Sequence, residues 1–166
     1  MIICTAATKG SPYESLMSIQ RDIYGERIVT TVYPKTTWGE GTKIKPKTIL
    51  SAFALDPYVF WMDADCAVDL PEQPPKGDWD VCLFDNVNPN HINRIASAFI
   101  LFKDTINSRK FLARWDENNQ YVKKDHPALT RTINEMRGKM SFYDGSEWLK
   151  DRQILNALMP ERGLFK

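Results

Sequence analysis

The sequence predicts an α/β domain, a mostly parallel sheet flanked by helices with a helical C-terminal half. Three observations carry this. Strand-like and helical stretches alternate through the first hundred residues, with helices concentrated afterwards. The run Tyr58-Val59-Phe60-Trp61-Met62 has no polar alternation, as in a strand buried on both faces. The chain has 166 residues, 43% hydrophobic and 26% charged, enough for one sizeable core and too apolar for disorder.

Met1 to Thr5 reads as a first buried strand. Ser11-Pro12-Tyr13-Glu14 has the form of a capping box with proline at the first helical position. Leu16, Ile19 and Ile23 follow at helical spacing, and Gly25 is a C-terminal stop. Arg27 to Tyr33 is β-branched and reads as a second strand, and Pro34 to Thr42 as a polar loop. Pro46 opens a helix with Ile49, Leu50, Phe53 and Ala54 inward, ended by Asp56-Pro57. The Tyr58 strand follows, and Pro71, Pro74 and Pro75 exclude regular structure beyond it. Trp79–Phe84 and Ala96–Phe102 are further strands. Helices are expected over Thr105–Gln120, Pro127–Arg137 and Glu147–Met159, the first with Phe111, Leu112 and Trp115 as its apolar stripe. With no repeat or linker, residues 1–166 read as a single domain.

No apolar run is long enough to cross a bilayer. The N-terminus lacks the basic and long apolar regions of a signal peptide, so a cytoplasmic location is expected. Cys4, Cys66 and Cys82 form no C-x-x-C pair and read as reduced core residues. Residues 1–100 carry 9 basic and 12 acidic side chains, and residues 101–166 carry 13 and 9. The basic half suits either a phosphate-bearing partner or a solvated helical surface.

The chemistry concentrates at Asp63-Ala64-Asp65, which ends the apolar run. In an extended segment Asp63 and Asp65 point the same way. Two carboxylates at the mouth of a buried strand repel and lose solvation unless a cation joins them. Oxygen ligands favour Mg²⁺ or Mn²⁺, whose shells phosphates commonly complete. Open α/β sheets also bind ligands at the carboxyl ends of their strands, where these residues stand.

The stretch Phe60 to Val68 resembles the D-x-D region of GT-A nucleotide-sugar glycosyltransferases, most closely the glycogenin-like (family 8) group. Lys47, sixteen residues before Asp63, matches that group's diphosphate-contacting lysine in spacing. Asp151-Arg152-Gln153-Ile154-Leu155-Asn156 is similar to its D-Q-x-x-L-N segment, with arginine for glutamine. Ser97-Ala98-Phe99-Ile100-Leu101-Phe102 is similar to its N-S-G-V-x-x-F stretch. The resemblance implies a Rossmann-like GT-A fold and a nucleotide-diphosphate sugar donor, with a uridine diphosphate sugar expected. It assigns Mn²⁺ or Mg²⁺ to Asp63 and Asp65. It puts the base and ribose at Thr5, Ala6, Ala7 and Thr8, with Tyr13 for stacking, and the donor also beside Ala64, Ser97 and Arg152. Asp151 falls beside the transferred sugar. The family's late H-x-x-G-x-x-K-P pattern, which supplies a third metal ligand, has no counterpart, so a short form is implied.

If the reaction retains anomeric configuration, Asp151 is placed to stabilise positive charge at the anomeric carbon. If it inverts, Asp85, Asp144 or Asp151 can serve as general base. The acceptor is a hydroxyl of a glycan, protein, small molecule or hydroxylated DNA base. The last follows from bases interleaved with aromatics over Arg109–Lys150, including Lys110-Phe111 and Arg114-Trp115. Two other readings stand beside transfer. One is a nucleotidyltransferase, weakened by the single glycine and single lysine of Thr5-Ala6-Ala7-Thr8-Lys9-Gly10. The other is a non-catalytic nucleotide-sugar-binding module.

Overall fold

In a computed structural model, residues 1–85, 95–150 and 152 are described, together with the backbone of residues 154–156. The chain opens with β1 (Ile2–Thr8), α1 (Pro12–Tyr24) and β2 (Ile28–Tyr33), followed by α2 (Trp38–Thr42) and α3 (Lys45–Ala52). Next come β3 (Tyr58–Met62), β4 (Cys66–Val68), β5 (Val81–Asp85) and β6 (Ile95–Lys103). The helices α4 (Ile106–Asn119) and α5 (Asp125–Met136) lead to β7 (Phe142–Asp144), α6 (Gly145–Trp148) and β8 (Ile154–Asn156).

Six strands form one sheet in the order β2-β1-β3-β6-β5-β7. Its pairings are parallel except those of β6, which runs against β3 and β5. Period-two alternation explains the unbroken apolar runs. Val59 and Trp61 of β3 pack with Ile100 and Phe102 of β6 under Ile49, Phe111, Trp115 and Leu129. Phe60 and Met62 pack with Phe99 and Leu101 on the opposite face, with Leu70, Trp79 and Leu149. Fully burying a side chain of this size contributes about 1.5–3 kcal/mol, so the two cores fix β3 at the centre. All three cysteines are buried, as expected. No helix among the described residues is long and apolar enough to cross a membrane.

Several elements differ from expectation. In α1 the buried residues are Leu16, Met17 and Gln20, whereas Ile19 and Ile23 are exposed. The buried stripe includes a glutamine that serves backbone carbonyls, so apolar spacing alone chose the wrong face. Ser11 makes no side-chain cap, and Glu14 instead accepts from the Gly10 N–H at 2.7 Å. The 34–42 loop contains α2, capped by Thr37 Oγ1 on the Glu40 N–H. In the next helix Leu50 and Ala54 are exposed, and the burial falls on Lys45, Pro46, Thr48, Ile49 and Ala52.

The helix expected over 147–159 is replaced within its described part by the end of α6 and by β8. β8 pairs antiparallel with β4, setting Asn156 opposite Cys66 and Ile154 opposite Val68. Sheet pairing there outweighs local helical spacing. Before it, Gly145 lies against Phe84, since a Cβ at that position would stand 2.3 Å from the ring.

Candidate functional site

A cleft of about 160 Å³ opens at the carboxyl ends of β1 and β3. Ala6, Ala7 and Thr8 form its floor, with Tyr13 from α1 on one side. Trp38, Gly41 and Thr42 of α2 form another wall, and Trp61, Asp63, Ala64 and Asp65 close it. The methyl-sized side chains of β1 leave the space that larger residues would fill.

β3 ends at Met62, and the acidic residues lie in a tight turn rather than an extended segment. The Asp63 N–H donates to the Ala98 carbonyl at 2.9 Å, and the Cys66 N–H donates back to the Asp63 carbonyl at 3.0 Å. Gln20, fully buried on α1, donates to the carbonyls of Asp63 and Cys66 at 2.9 and 2.8 Å. The backbone of the turn is thus held from the sheet and from the first helix.

Asp63 has a cationic partner within the protein itself. Lys45 Nζ lies 2.8 Å from Asp63 Oδ1 and 3.2 Å from Oδ2. It also lies 2.8 Å from Asp125 Oδ2 and donates to the Ser97 carbonyl at 3.1 Å. An ammonium has three N–H groups, and three partners surround this one. Burial works against the charged amine, but Asp125 and Asp63 outweigh it and hold Lys45 above its ordinary range. Burial pushes the Asp63 carboxyl up, and Asp125 and Asp65 add to the effect against the opposing pull of Lys45. The Trp61 indole N–H donates to Asp63 Oδ1 at 2.8 Å.

Asp65 stands differently: among the described residues its Oδ1 accepts a single weak contact, from Cys66 Sγ at 3.6 Å. The donor set here fits a divalent cation. Asp63 and Asp65 offer hard oxygens at the cleft, and with Asp125 behind them three acids stand against one ammonium. No group of three metal-ligating side chains occurs among the described residues, so water or phosphate oxygens would complete the shell.

Of the expected site residues, Ala6, Ala7, Thr8, Tyr13, Asp63, Ala64 and Asp65 meet at the cleft. Thr5 is fully buried in β1 behind it. Lys47 does not line it: its side chain is 69% exposed, 3.5 Å from Asp116. Helical geometry turns Lys47 away from the buried face that Lys45 occupies. Ser97 takes part through its carbonyl. Asp85 is exposed at the end of β5, where its N–H donates to Ser146 Oγ. Asp144 caps α6, accepting from the Ser146 N–H at 3.0 Å. Arg152 pairs with Asp69 at 3.0 Å. Asp151 lies outside the described residues.

Sequence reasoning missed Lys45, Gln20, Asp125 and Trp38. Lys45 had one signal, its place just before a helix-opening proline leading to β3. Of the interleaved surface over 109–150, Phe111 and Trp115 are fully buried in the core, whereas Tyr121 stays exposed. Three of its arginines are matched: Arg109 pairs with Asp104, and Arg114 and Arg131 with Glu135.

No family model matches the chain, and no curated protein matches it in sequence. In structure it is similar to a glycosyltransferase involved in the glycosylation of the major capsid of PBCV-1. That likeness has a TM-score of 0.66 at 11% identity and covers 99% of this chain and 97% of the other. The likeness to the glycosyltransferase GlyE of Streptococcus pneumoniae TIGR4 has a TM-score of 0.48 at 9% identity. It covers 88% of this chain, which spans about half of GlyE, 46%. The mostly parallel sheet, its flanking helices and the end-to-end correspondence with the PBCV-1 protein give the chain the Rossmann-like α/β fold of GT-A type.

Proposed function

We propose that the chain is a glycosyltransferase that moves a hexose from a nucleotide-diphosphate sugar, a uridine diphosphate sugar in the first instance, to a hydroxyl acceptor. The observation that carries this reading is the meeting of Ala6, Ala7, Thr8 and Tyr13 with the Asp63–Asp65 turn in one cleft. The fold shared with a glycosyltransferase supports it.

The base and ribose lie against β1 and Tyr13, and the diphosphate faces the acidic turn. Asp65, with Asp63 beside it, holds Mn²⁺ or Mg²⁺. When bound, the ion supplies positive charge to the departing diphosphate. The bond between the anomeric carbon and the diphosphate breaks, and a bond to the acceptor oxygen forms. The acceptor proton passes to a carboxylate or to the leaving diphosphate, according to the stereochemical course. Asp151 is the candidate beside the sugar. In support, β8 pairs with β4, which directly follows the acidic turn, and so returns the segment after Asp151 to this end of the sheet. Lys45, paired with Asp63 and Asp125 and bonded to the Ser97 carbonyl, acts in this reading by positioning Asp63.

The test is incubation with a panel of nucleotide sugars and Mn²⁺. Release of nucleoside diphosphate from a hexose donor is expected. Pyrophosphate formed from a nucleoside triphosphate and a sugar phosphate would overturn the reading for nucleotidyl transfer. Thermal stabilisation by donor without any turnover would overturn it for a binding module.

A further inference from the structure

Asp125 has no part in the reading above, yet it is among the most deeply placed charges of the protein, 5% exposed. It is the first residue of α5, in the helical layer, and its carboxylate reaches Lys45 Nζ at 2.8 Å. Its backbone is fixed independently of that carboxylate. The Asp125 N–H donates to Thr42 Oγ1 at 3.3 Å, and its carbonyl accepts from the Trp115 indole N–H at 3.3 Å. Thr42 lines the cleft.

A buried lysine needs one carboxylate to balance its charge, and Lys45 has two. The triad of buried Lys45 and Asp125 with the partly exposed Asp63 therefore carries a formal charge of −1 where a simple ion pair would carry none. The lysine's positive charge is divided between the two acids, so Asp63 keeps part of its negative charge. A single surplus charge is felt strongly across a poorly solvated site.

We infer that Asp125 is a positioning residue that draws Lys45 partly off Asp63 and thereby sets the affinity of the acidic turn for a divalent cation. This rests on the proposed metal–diphosphate role of the turn. Asp125 itself touches neither cation nor donor. It acts through Lys45, which behaves as an internal counter-ion shared between the turn and α5. The helical layer and the donor end of the cleft are thereby joined electrostatically as well as by the Thr42 hydrogen bond.

The sign of the effect separates this role from simple structural support. In Asp125→Asn the backbone anchors remain and one negative charge is lost, so Lys45 is left to neutralise Asp63. Mn²⁺ affinity, measured by calorimetry without donor, is expected to fall about tenfold. In Lys45→Gln the internal cation is gone and both acids are uncompensated. That variant is expected to bind Mn²⁺ more tightly than the wild type, even if less stable without metal. Saturating Mn²⁺ should accordingly raise its melting temperature by more, and that of Asp125→Asn by less, than in the wild type. Parallel weakening of Mn²⁺ binding in both variants would overturn the inference in favour of a structural tie. So would unchanged binding in Asp125→Asn. If the wild type binds no Mn²⁺ with or without uridine diphosphate, the reading of the turn as a metal site fails, and the inference falls with it.

Discussion

The side-chain amide of Gln20 donates to the main-chain carbonyl of Asp63 at 2.9 Å across 43 positions of sequence. A second bond to the Cys66 carbonyl, at 2.8 Å, makes α1 a clamp on both ends of the acidic turn. Gln20→Met keeps the volume and removes both donors. A buried carbonyl left without a donor costs about 1–3 kcal/mol. The Asp63 carbonyl keeps the Cys66 N–H, so the net loss in urea unfolding should be about 2 kcal/mol. Donor affinity should fall as well, because the turn is no longer pinned. Unchanged stability together with unchanged donor binding would show that the sheet alone holds the turn.

Asp65 presents the opposite case, a residue at the cleft with little structural employment. Its only side-chain bond among the described residues is the weak Cys66 contact at 3.6 Å. Asp65→Asn should therefore unfold within about 0.5 kcal/mol of the wild type, as for a substitution away from core or network. Mn²⁺-dependent release of nucleoside diphosphate should drop about 100-fold, the loss of several kcal/mol of charge stabilisation. Full activity in this variant would remove Asp65 from the metal site.

A second buried carboxylate has a purely architectural task. Asp80 accepts from Thr105 Oγ1 at 2.6 Å, Asn107 Nδ2 at 3.2 Å and the Ser141 N–H at 2.8 Å. It joins the start of α4 to the entry of β7. Burial works against its ionised form, but these hydrogen bonds outweigh burial and hold its carboxyl below the ordinary value of 3.8. A carboxyl depressed on folding stabilises the folded state above its unfolded pKa, and loses that contribution as pH falls through the folded one. Wild-type stability should thus decline from pH 5 to pH 3 more than that of Asp80→Asn. At neutral pH the variant should be about 2 kcal/mol less stable. Equal acid sensitivity of the two proteins would show that Asp80 makes no such contribution.

Much of this architecture could be read from sequence because β3, β5 and β6 are buried on both faces. That condition writes itself as unbroken apolar runs such as Tyr58–Met62. The D-x-D turn was legible for the same reason, since it interrupts such a run. What escaped reading depends on partners distant in sequence. Gln20 is a polar residue on a helix until its two carbonyls are known. Lys45 and Lys47 are equivalent in composition and differ only in helical phase, which buries one and exposes the other. β8 forms because β4 offers an edge, a fact absent from residues 147–159 themselves.

The α2 wall, also missed, offers a direct test of how the cleft receives a nucleotide. Trp38 lines the cleft and is 55% exposed, a large apolar area at the mouth of a polar site. Lys124 Nζ lies over its ring, 4.9 Å from the centroid. The helix beneath it packs closely on the 123–124 segment, since a Cβ on Gly39 would stand 2.5 Å from the Lys123 carbonyl oxygen. Fixed aromatic faces of this kind take up flat rings, and stacking of a base on one contributes about 1–3 kcal/mol. Trp38→Ala should therefore weaken uridine diphosphate binding about tenfold or more in calorimetry. Mn²⁺ binding and the affinity for inorganic diphosphate with Mn²⁺ should stay near wild type, because neither involves a base. An equal loss for uridine diphosphate and inorganic diphosphate would mean that Trp38 shapes the acidic turn instead and takes no part in holding the base.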